Sequence, residues 1–139
     1  MEVRLATIKD IDALFVLNEL FENTTTKEAM QNTIQENDRE IICIAYVKGI
    51  AAGYCTGLIV KSMCYRQQRI DIETLYVRNE YRNQGIGQAL IHCLERTAAA
   101  AGIYHFHINT HQVNIAAQTL YRRMGYAPTG EILLDKTIR

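Results

Sequence analysis

The stretch Ile70-Asp71-Ile72-Glu73-Thr74-Leu75-Tyr76-Val77, followed by Arg82-Asn83-Gln84-Gly85-Ile86-Gly87, governs how this chain is read. The first run carries the apolar and β-branched residues of a strand, and the residues from Gly85 onward follow a helical pattern. A strand, a short turn and a helix N-terminus therefore meet at one place. The first amide N–H groups of a helix have no intrahelical partner, and the helix dipole adds partial positive charge there. Glycines let a ligand's oxygens come close to that backbone, so the junction is an anion cradle and a diphosphate-bearing cofactor is the first expectation.

Spacing separates the nucleotide loops that compete for this stretch. A P-loop would end in Gly-Lys-Ser/Thr, where this chain has Gly87-Gln88-Ala89. A dinucleotide fingerprint would want a third small residue at Leu90 and an acidic ribose ligand some twenty residues on, and neither is present. The pattern that fits, Arg/Gln-x-x-Gly-x-Gly/Ala after a strand ending in Leu75-Tyr76-Val77, resembles the acyl-CoA loop of the GNAT superfamily of N-acetyltransferases. Asn114-Ile115-Ala116-Ala117-Gln118-Thr119-Leu120-Tyr121-Arg122-Arg123-Met124-Gly125-Tyr126 resembles the other signature of that superfamily: Asn, then Ala, then Tyr, closing with Gly and an aromatic. On a helix, Asn114 and Tyr121 are nearly two turns apart and share one face, with Ala117 or Gln118 between them. With the Arg4-x-Ala6-Thr7-x-x-Asp10 opening, the resemblance covers essentially the whole chain.

A chain of 139 residues with ordinary apolar content is expected to be a single N-acetyltransferase domain over residues 1–139. Fifteen Lys and Arg balance fifteen Asp and Glu, and no basic run exceeds Arg122-Arg123, which argues against nucleic acid as a partner. No stretch of about twenty apolar residues, signal-peptide architecture or lipidation motif is apparent, so no membrane association and a cytoplasmic location are expected. Cys43, Cys55, Cys64 and Cys93 lack Cys-x-x-Cys spacing, and three of them lie in apolar contexts where a thiol packs as a small hydrophobe. His105 and His107 share a strand face, and Cys or His elsewhere could complete a site, but nothing fixes its geometry and no metal is expected. Asn23-Thr24-Thr25 matches the glycosylation pattern, which without secretion carries no weight.

The elements follow in order. Glu2 to Ala6 reads as a strand, and Thr7 with Asp10 as a capping-box helix start. A helix with Ile11, Leu14, Phe15 and Phe21 on its stripe comes next, then a more polar helix to about Gln35. Glu40 to Val47 and Ile50 to Val60 form a hairpin about Lys48-Gly49, and Ile70 to Val77 is a third strand. Gly85 to Ala101 is a helix, Ile103 to Asn109 a strand, Asn114 to Met124 a helix, and Ile132 to Ile138 a final strand after Pro128. This order implies an α/β (α+β) fold: a central mixed antiparallel and parallel sheet of about six to seven strands with helices on both faces.

The resemblance implies the chemistry. Acetyl-CoA is the co-substrate, its pyrophosphate held by the amides of Asn83, Gln84, Gly85, Ile86, Gly87 and Gln88 with Arg82 as a supporting cation. The main chain of Leu75, Tyr76 and Val77 pairs with the pantetheine amides. Asn114 bonds the same arm or caps its helix, and Tyr121 protonates the departing thiolate. By strict alternation Glu73 shares a strand face with Asp71 and Val77, while Ile70, Ile72 and Tyr76 take the other. Glu73 is expected to bind and deprotonate an amine acceptor, with Asp71 or water as the fallback. Asn109 stands where ribosomal-protein N-terminal acetyltransferases of this superfamily carry a catalytic Glu. The expected function is acetyl transfer to a primary amine of a small molecule by direct attack in a ternary complex. The alternatives are a protein lysine or N-terminal acetyltransferase, and a non-enzymatic acyl-CoA-binding sensor. Dimers are common in that superfamily, which leaves a homodimer open.

Overall fold

The computed structural model describes residues 1–22, 24–36 and 38–139. Asn23, and with it the glycosylation pattern, lies outside them. The elements are β1 (Glu2–Leu5), a 3₁₀ turn (Ile8–Asp10), α1 (Ile11–Phe21), α2 (Lys27–Gln35), β2 (Glu40–Val47), β3 (Ile50–Val60), β4 (Arg69–Val77), a second 3₁₀ turn (Asn79–Tyr81), α3 (Ile86–Ala100), β5 (Phe106–Ile108) and α4 (Ile115–Arg123). They fall into two compact units, Met1–Asn109 and Thr110–Arg139.

The first unit is one sheet in the order β1-β2-β3-β4-β5. The first three pairings are antiparallel and β4–β5 is parallel, the mixed sheet that hairpins followed by a strand-helix-strand crossover require. Helices cover both faces. Leu14 and Leu17 of α1 pack with Ile44, Ala51 and Tyr54 on one side. On the other, Cys55 donates from Sγ to the Leu90 carbonyl at 3.3 Å. A Cβ built on Gly57 would lie 2.6 Å from Ile70 Cγ2 and 3.0 Å from Leu94 Cδ1, so Gly57 faces α3. Cys43 and Cys55 pair across β2 and β3 and are fully buried, behaving as the small hydrophobes expected.

The N-terminal capping box forms and does more than start a helix. Asp10 accepts from the Thr7 amide at 2.8 Å, from Arg4 Nη1 and Nη2 at 2.8 and 2.9 Å, and from the Tyr46 hydroxyl at 2.7 Å. It therefore joins β1, the first turn and β2. The bidentate guanidinium holds this buried carboxyl well below the usual carboxylate range, and desolvation acting with the Asp10 bond pushes the Tyr46 phenol up to about 12.

Three expectations change. The sheet has five strands, because Ile132–Ile138 forms no strand among the described residues. Its unit contains only the helix α4, and a strand is stable only where a neighbour's N–H and C=O groups complete its ladder. The strand expected over Ile103 to Asn109 shrinks to Phe106–Ile108, since the Ile103 amide is spent on the Ala98 carbonyl at 2.9 Å, closing the end of α3. On α1, Leu17 rather than Phe21 is fully buried, and Phe21 is 40% exposed.

Candidate functional site

The cradle is built as its sequence demands. β4 ends at Val77, a single 3₁₀ turn follows, and Asn83 and Gly85 take positive φ of 61° and 80° before α3 begins. Gly85 is the helix N-cap in the left-handed region, where a side chain would be strained, and it supplies no side-chain cap. The first α3 bond runs from the Ala89 amide to the Gly85 carbonyl at 3.0 Å. The amides of Ile86, Gly87 and Gln88 thus precede the helix's own ladder, at the positive end of a fifteen-residue helix. Ile86 is buried and anchors the turn, whereas Arg82, Asn83, Gln84, Gly85 and Gln88 are exposed. Arg82 Nε donates to the Val77 carbonyl at 3.0 Å, and its guanidinium lies 5.9 Å from the centre of the Tyr76 ring. It braces the turn against the strand end while keeping its charge at the cradle's rim.

Strict alternation fails on β4. Thr56 pairs with Thr74 while Gly57 pairs with Ile72, so Glu73 is an extra residue, a β-bulge. The two halves of the strand are out of phase because of it. Ile72, opposite Gly57, faces α3, whereas Tyr76, opposite Tyr54, faces α1 and stacks with Phe21 at 5.6 Å between ring centres. The single face expected for Ile70, Ile72 and Tyr76 is therefore corrected. Glu73 is exposed at the bulge, and its charge reaches Glu40 at the start of β2. Asp71 is already engaged by Arg69, Nε to Oδ1 at 2.8 Å, with His107 Nδ1 at 3.9 Å.

Between α1, α2 and the strands lies a cavity of about 230 Å³ lined by Asn18, Thr33, Glu40, Tyr54, Thr56 and Thr74 among others. Burial, then the Glu73 charge, raises the Glu40 carboxyl above its ordinary value. The Tyr54 hydroxyl donates to Asn18 Oδ1 at 3.0 Å, and Asn18 Nδ2 is buried with no hydrogen-bond partner among the described residues. Sequence reasoning named neither Asn18 nor Glu40. The available signals were an amide set one helical turn after Leu14 on the core-facing stripe, and a carboxylate opening an otherwise apolar strand. A larger, open hollow of about 500 Å³ at Met1, Arg4, Tyr46 and Lys48 is bordered by the Arg4–Asp10 pair.

In the second unit, Asn114 caps α4, its Oδ1 accepting from the Ala117 amide at 3.1 Å. Tyr121 is 9% exposed, and its ring meets Tyr126 edge-on at 6.3 Å. The carbonyl of Tyr121 accepts from the Tyr126 amide at 2.9 Å, so the Gly-aromatic ending folds back on the helix. His105 and His107 approach at 3.1 Å between Nε2 atoms, and among the described residues no group of three or more His, Cys, Asp or Glu could hold a metal. No helix there is long and apolar enough to cross a membrane.

The profile of the acetyltransferase (GNAT) family matches residues 9–126, which include β4, the cradle and the Asn114–Tyr126 block. The chain belongs to the GNAT family. N-acetyltransferase 8 of Homo sapiens is 30% identical over 79 residues, 57% of this chain and 35% of the human protein. N-acetyltransferase family 8 member 3 of Rattus norvegicus is 30% identical over 88 residues, 63% of this chain and 39% of the rat protein. The chain thus spans little more than a third of the length of these curated relatives. Among solved structures, AAC(6')-Iy in complex with a CoA-containing bisubstrate analogue superposes with a TM-score of 0.87 at 17% identity, over 99% of this chain and 98% of that one. The ribosomal-protein-alanine N-acetyltransferase of Brucella melitensis biovar Abortus 2308 gives 0.81 at 16%, over 99% and 100%. At such identities the likeness shows the GNAT fold alone.

Proposed function

We propose that this GNAT-family chain is an N-acetyltransferase that moves the acetyl group of acetyl-CoA to a primary amine of a small molecule, by direct attack in a ternary complex. The observation that carries the reading is the run from the bulged strand β4 through the Asn83–Gly85 turn into the uncapped start of α3. The donor set fits an acyl-CoA: unladdered amides at Ile86, Gly87 and Gln88 with Arg82 nearby suit a pyrophosphate, and the strand end at Leu75, Tyr76 and Val77 offers main-chain groups to pantetheine amides. When bound, acetyl-CoA supplies the activated acyl group.

The residues of this chain have the remaining work. Glu73, exposed on its bulge, binds the acceptor's ammonium and carries its proton outward, since an amine with a pKa near 10 is scarcely nucleophilic at pH 7. On the family resemblance, Tyr121 donates a proton to the leaving sulfur and Asn114 steadies the pantetheine arm. Asp71, held by Arg69, is the weaker candidate for proton removal. The two units act as one domain over residues 1–139 in the cytoplasm, and a homodimer is compatible with this reading.

The test is free-thiol release from acetyl-CoA across a panel of small amines, a lysine peptide and an N-terminal peptide, with melting temperature read alongside. Acetyl-CoA should raise the melting temperature, a folded Gly87→Glu variant should lose that shift, and a small amine should accelerate release most. Faster acetylation of a peptide makes the substrate a protein. Slow release that no amine accelerates makes the chain an acyl-CoA-binding sensor.

A further inference from the structure

Away from the cradle and the cavity, the edge of the sheet gathers side chains of a different chemistry. β5 is the last strand in the sheet and runs parallel to β4, with His107 opposite Asp71 and the His105 carbonyl accepting from the Ile70 amide at 2.9 Å. Residues two apart share a strand face, so Arg69 and Asp71 stand beside His105 and His107. All four belong to the Met1–Asn109 unit. The two imidazoles approach at 3.1 Å between Nε2 atoms, with their rings edge-on at 4.9 Å between centres. One N–H···N bond satisfies such a pair but contributes little between rings that water can reach. The same spacing is that of a chelate. Two nitrogens about 2.0–2.1 Å from one ion lie roughly 3.3 Å apart in a tetrahedron and roughly 3.0 Å apart at a right angle.

We infer that His105 and His107 form a two-imidazole site for an exchangeable divalent transition metal ion, with Asp71 backing His107. The carboxylate supports this independently of the spacing. His107 Nδ1, the nitrogen turned away from His105, faces Asp71 Oδ1 at 3.9 Å, which favours the tautomer protonated on Nδ1 and leaves Nε2 with a bare lone pair. Arg69 donates from Nε to Asp71 Oδ1 at 2.8 Å and from Nη2 to Oδ2 at 3.4 Å, so its charge is matched and does not repel a dication. His105 is exposed, which gives the ion an entry path without any opening of the fold. Imidazole donors select ions such as Zn²⁺ and Ni²⁺ over Mg²⁺ and Ca²⁺, which take oxygen ligands. Two protein ligands, with water at the other positions, hold an ion less tightly than the closed set of four in a structural zinc site. The bound ion clamps the end of a three-residue strand that has a neighbour on one side only. Nothing in this site depends on acetyl-CoA or on an amine.

The test uses the full chain without a polyhistidine tag, titrated with Zn²⁺, Ni²⁺ and Mg²⁺ by calorimetry, with melting temperature read alongside and the histidine ring resonances followed during addition of paramagnetic Ni²⁺. One Zn²⁺ or Ni²⁺ should bind per chain at sub-millimolar concentration and raise the melting temperature, and Mg²⁺ should do neither. The His105 and His107 lines should broaden first, while those of His92 and His111 persist. His105→Ala and His107→Gln should each weaken binding at least about tenfold. Arg69→Gln combined with Asp71→Asn removes the backing carboxylate at constant net charge and should weaken binding about tenfold. Arg69→Gln alone leaves Asp71 to His107 and should bind at least as tightly as the wild type. Cys64→Ser, which removes the exposed thiol, should bind as the wild type does. In the wild type, absence of saturable binding below millimolar metal, or equal broadening of all four histidines, overturns the site without recourse to any variant. Loss of binding in Cys64→Ser, or its survival in both histidine variants, overturns the assignment to His105 and His107. Full affinity in the double variant overturns the role of Asp71.

Discussion

Replacing Asp10 by Asn removes a charge from the point where β1, the first turn and β2 are tied together. The carboxylate accepts four hydrogen bonds at 2.7–2.9 Å, two of them from Arg4. Asn has one acceptor oxygen and a nitrogen that cannot accept, so one arm of the fork, the bond from Thr7 or Tyr46 that shares its oxygen, and the ion pair are lost together. Breaking a fully buried pair costs about 3–5 kcal/mol. The Arg4 side chain is 40% exposed and the released guanidinium can be hydrated, so about 2 kcal/mol is the better expectation here. The pH dependence is the sharper part. Folding holds the Asp10 carboxyl below its unfolded value, so its contribution is complete above about pH 4 and is lost as pH falls through the unfolded and then the folded pKa. By pH 3 the wild type should have lost about 1 kcal/mol from this group alone, whereas Asn at position 10 titrates nothing. Urea unfolding of both proteins at pH 7 and pH 3 should therefore give a gap that narrows in acid. A gap under about 0.5 kcal/mol at pH 7, or one that is unchanged at pH 3, refutes the reasoning.

Other perturbations probe the strand end and the reacting groups. Gly53→Ala places a Cβ 2.5 Å from the Tyr76 carbonyl oxygen, so β3 and β4 must part; it should cost about 1–3 kcal/mol and weaken acetyl-CoA binding, and full stability with full affinity in calorimetry counts against the close approach. Tyr121→Phe should lower kcat at least about tenfold while leaving acetyl-CoA affinity within a few fold, and unchanged turnover in a chemistry-limited assay reduces the phenol to packing. Glu73→Gln should impair both amine binding and turnover, most at neutral pH where the amine is protonated; a fully active variant removes Glu73 from the mechanism.

The strand-turn-helix junction was legible because its signals are local. Glycine spacing, a strand-like run and a helical stripe each depend on neighbours within a few residues, and the structure adds the positive φ of Asn83 and Gly85. The Thr7–Asp10 cap was legible for the same reason, but the bonds from Arg4 and Tyr46 to Asp10 join residues on different strands, and no local pattern announces them. The cavity is a further step from local information: Asn18, Glu40, Thr56 and Thr74 meet only when α1, β2, β3 and β4 are assembled. The strand misread at Ile132–Ile138 shows the limit from the other side. Its Ile132, Leu133, Leu134, Thr137 and Ile138 are residue types that suit a strand, yet a ladder needs a neighbour, and local sequence does not record whether one is present.

Glu73 is supernumerary in β4. With it left out of the count, Ile70, Asp71, Ile72, Thr74, Leu75 and Tyr76 alternate without interruption between the two faces. A chain shortened by that one residue would therefore keep every core partner of the strand, and the loss should fall on the bulge and on whatever the bulge presents. Packing and presentation are thus written in separate letters of the same strand. This arrangement lets selection exchange, remove or restore the displayed side chain without renegotiating the interior, and it makes the single-residue deletion a cleaner probe of the site than many substitutions.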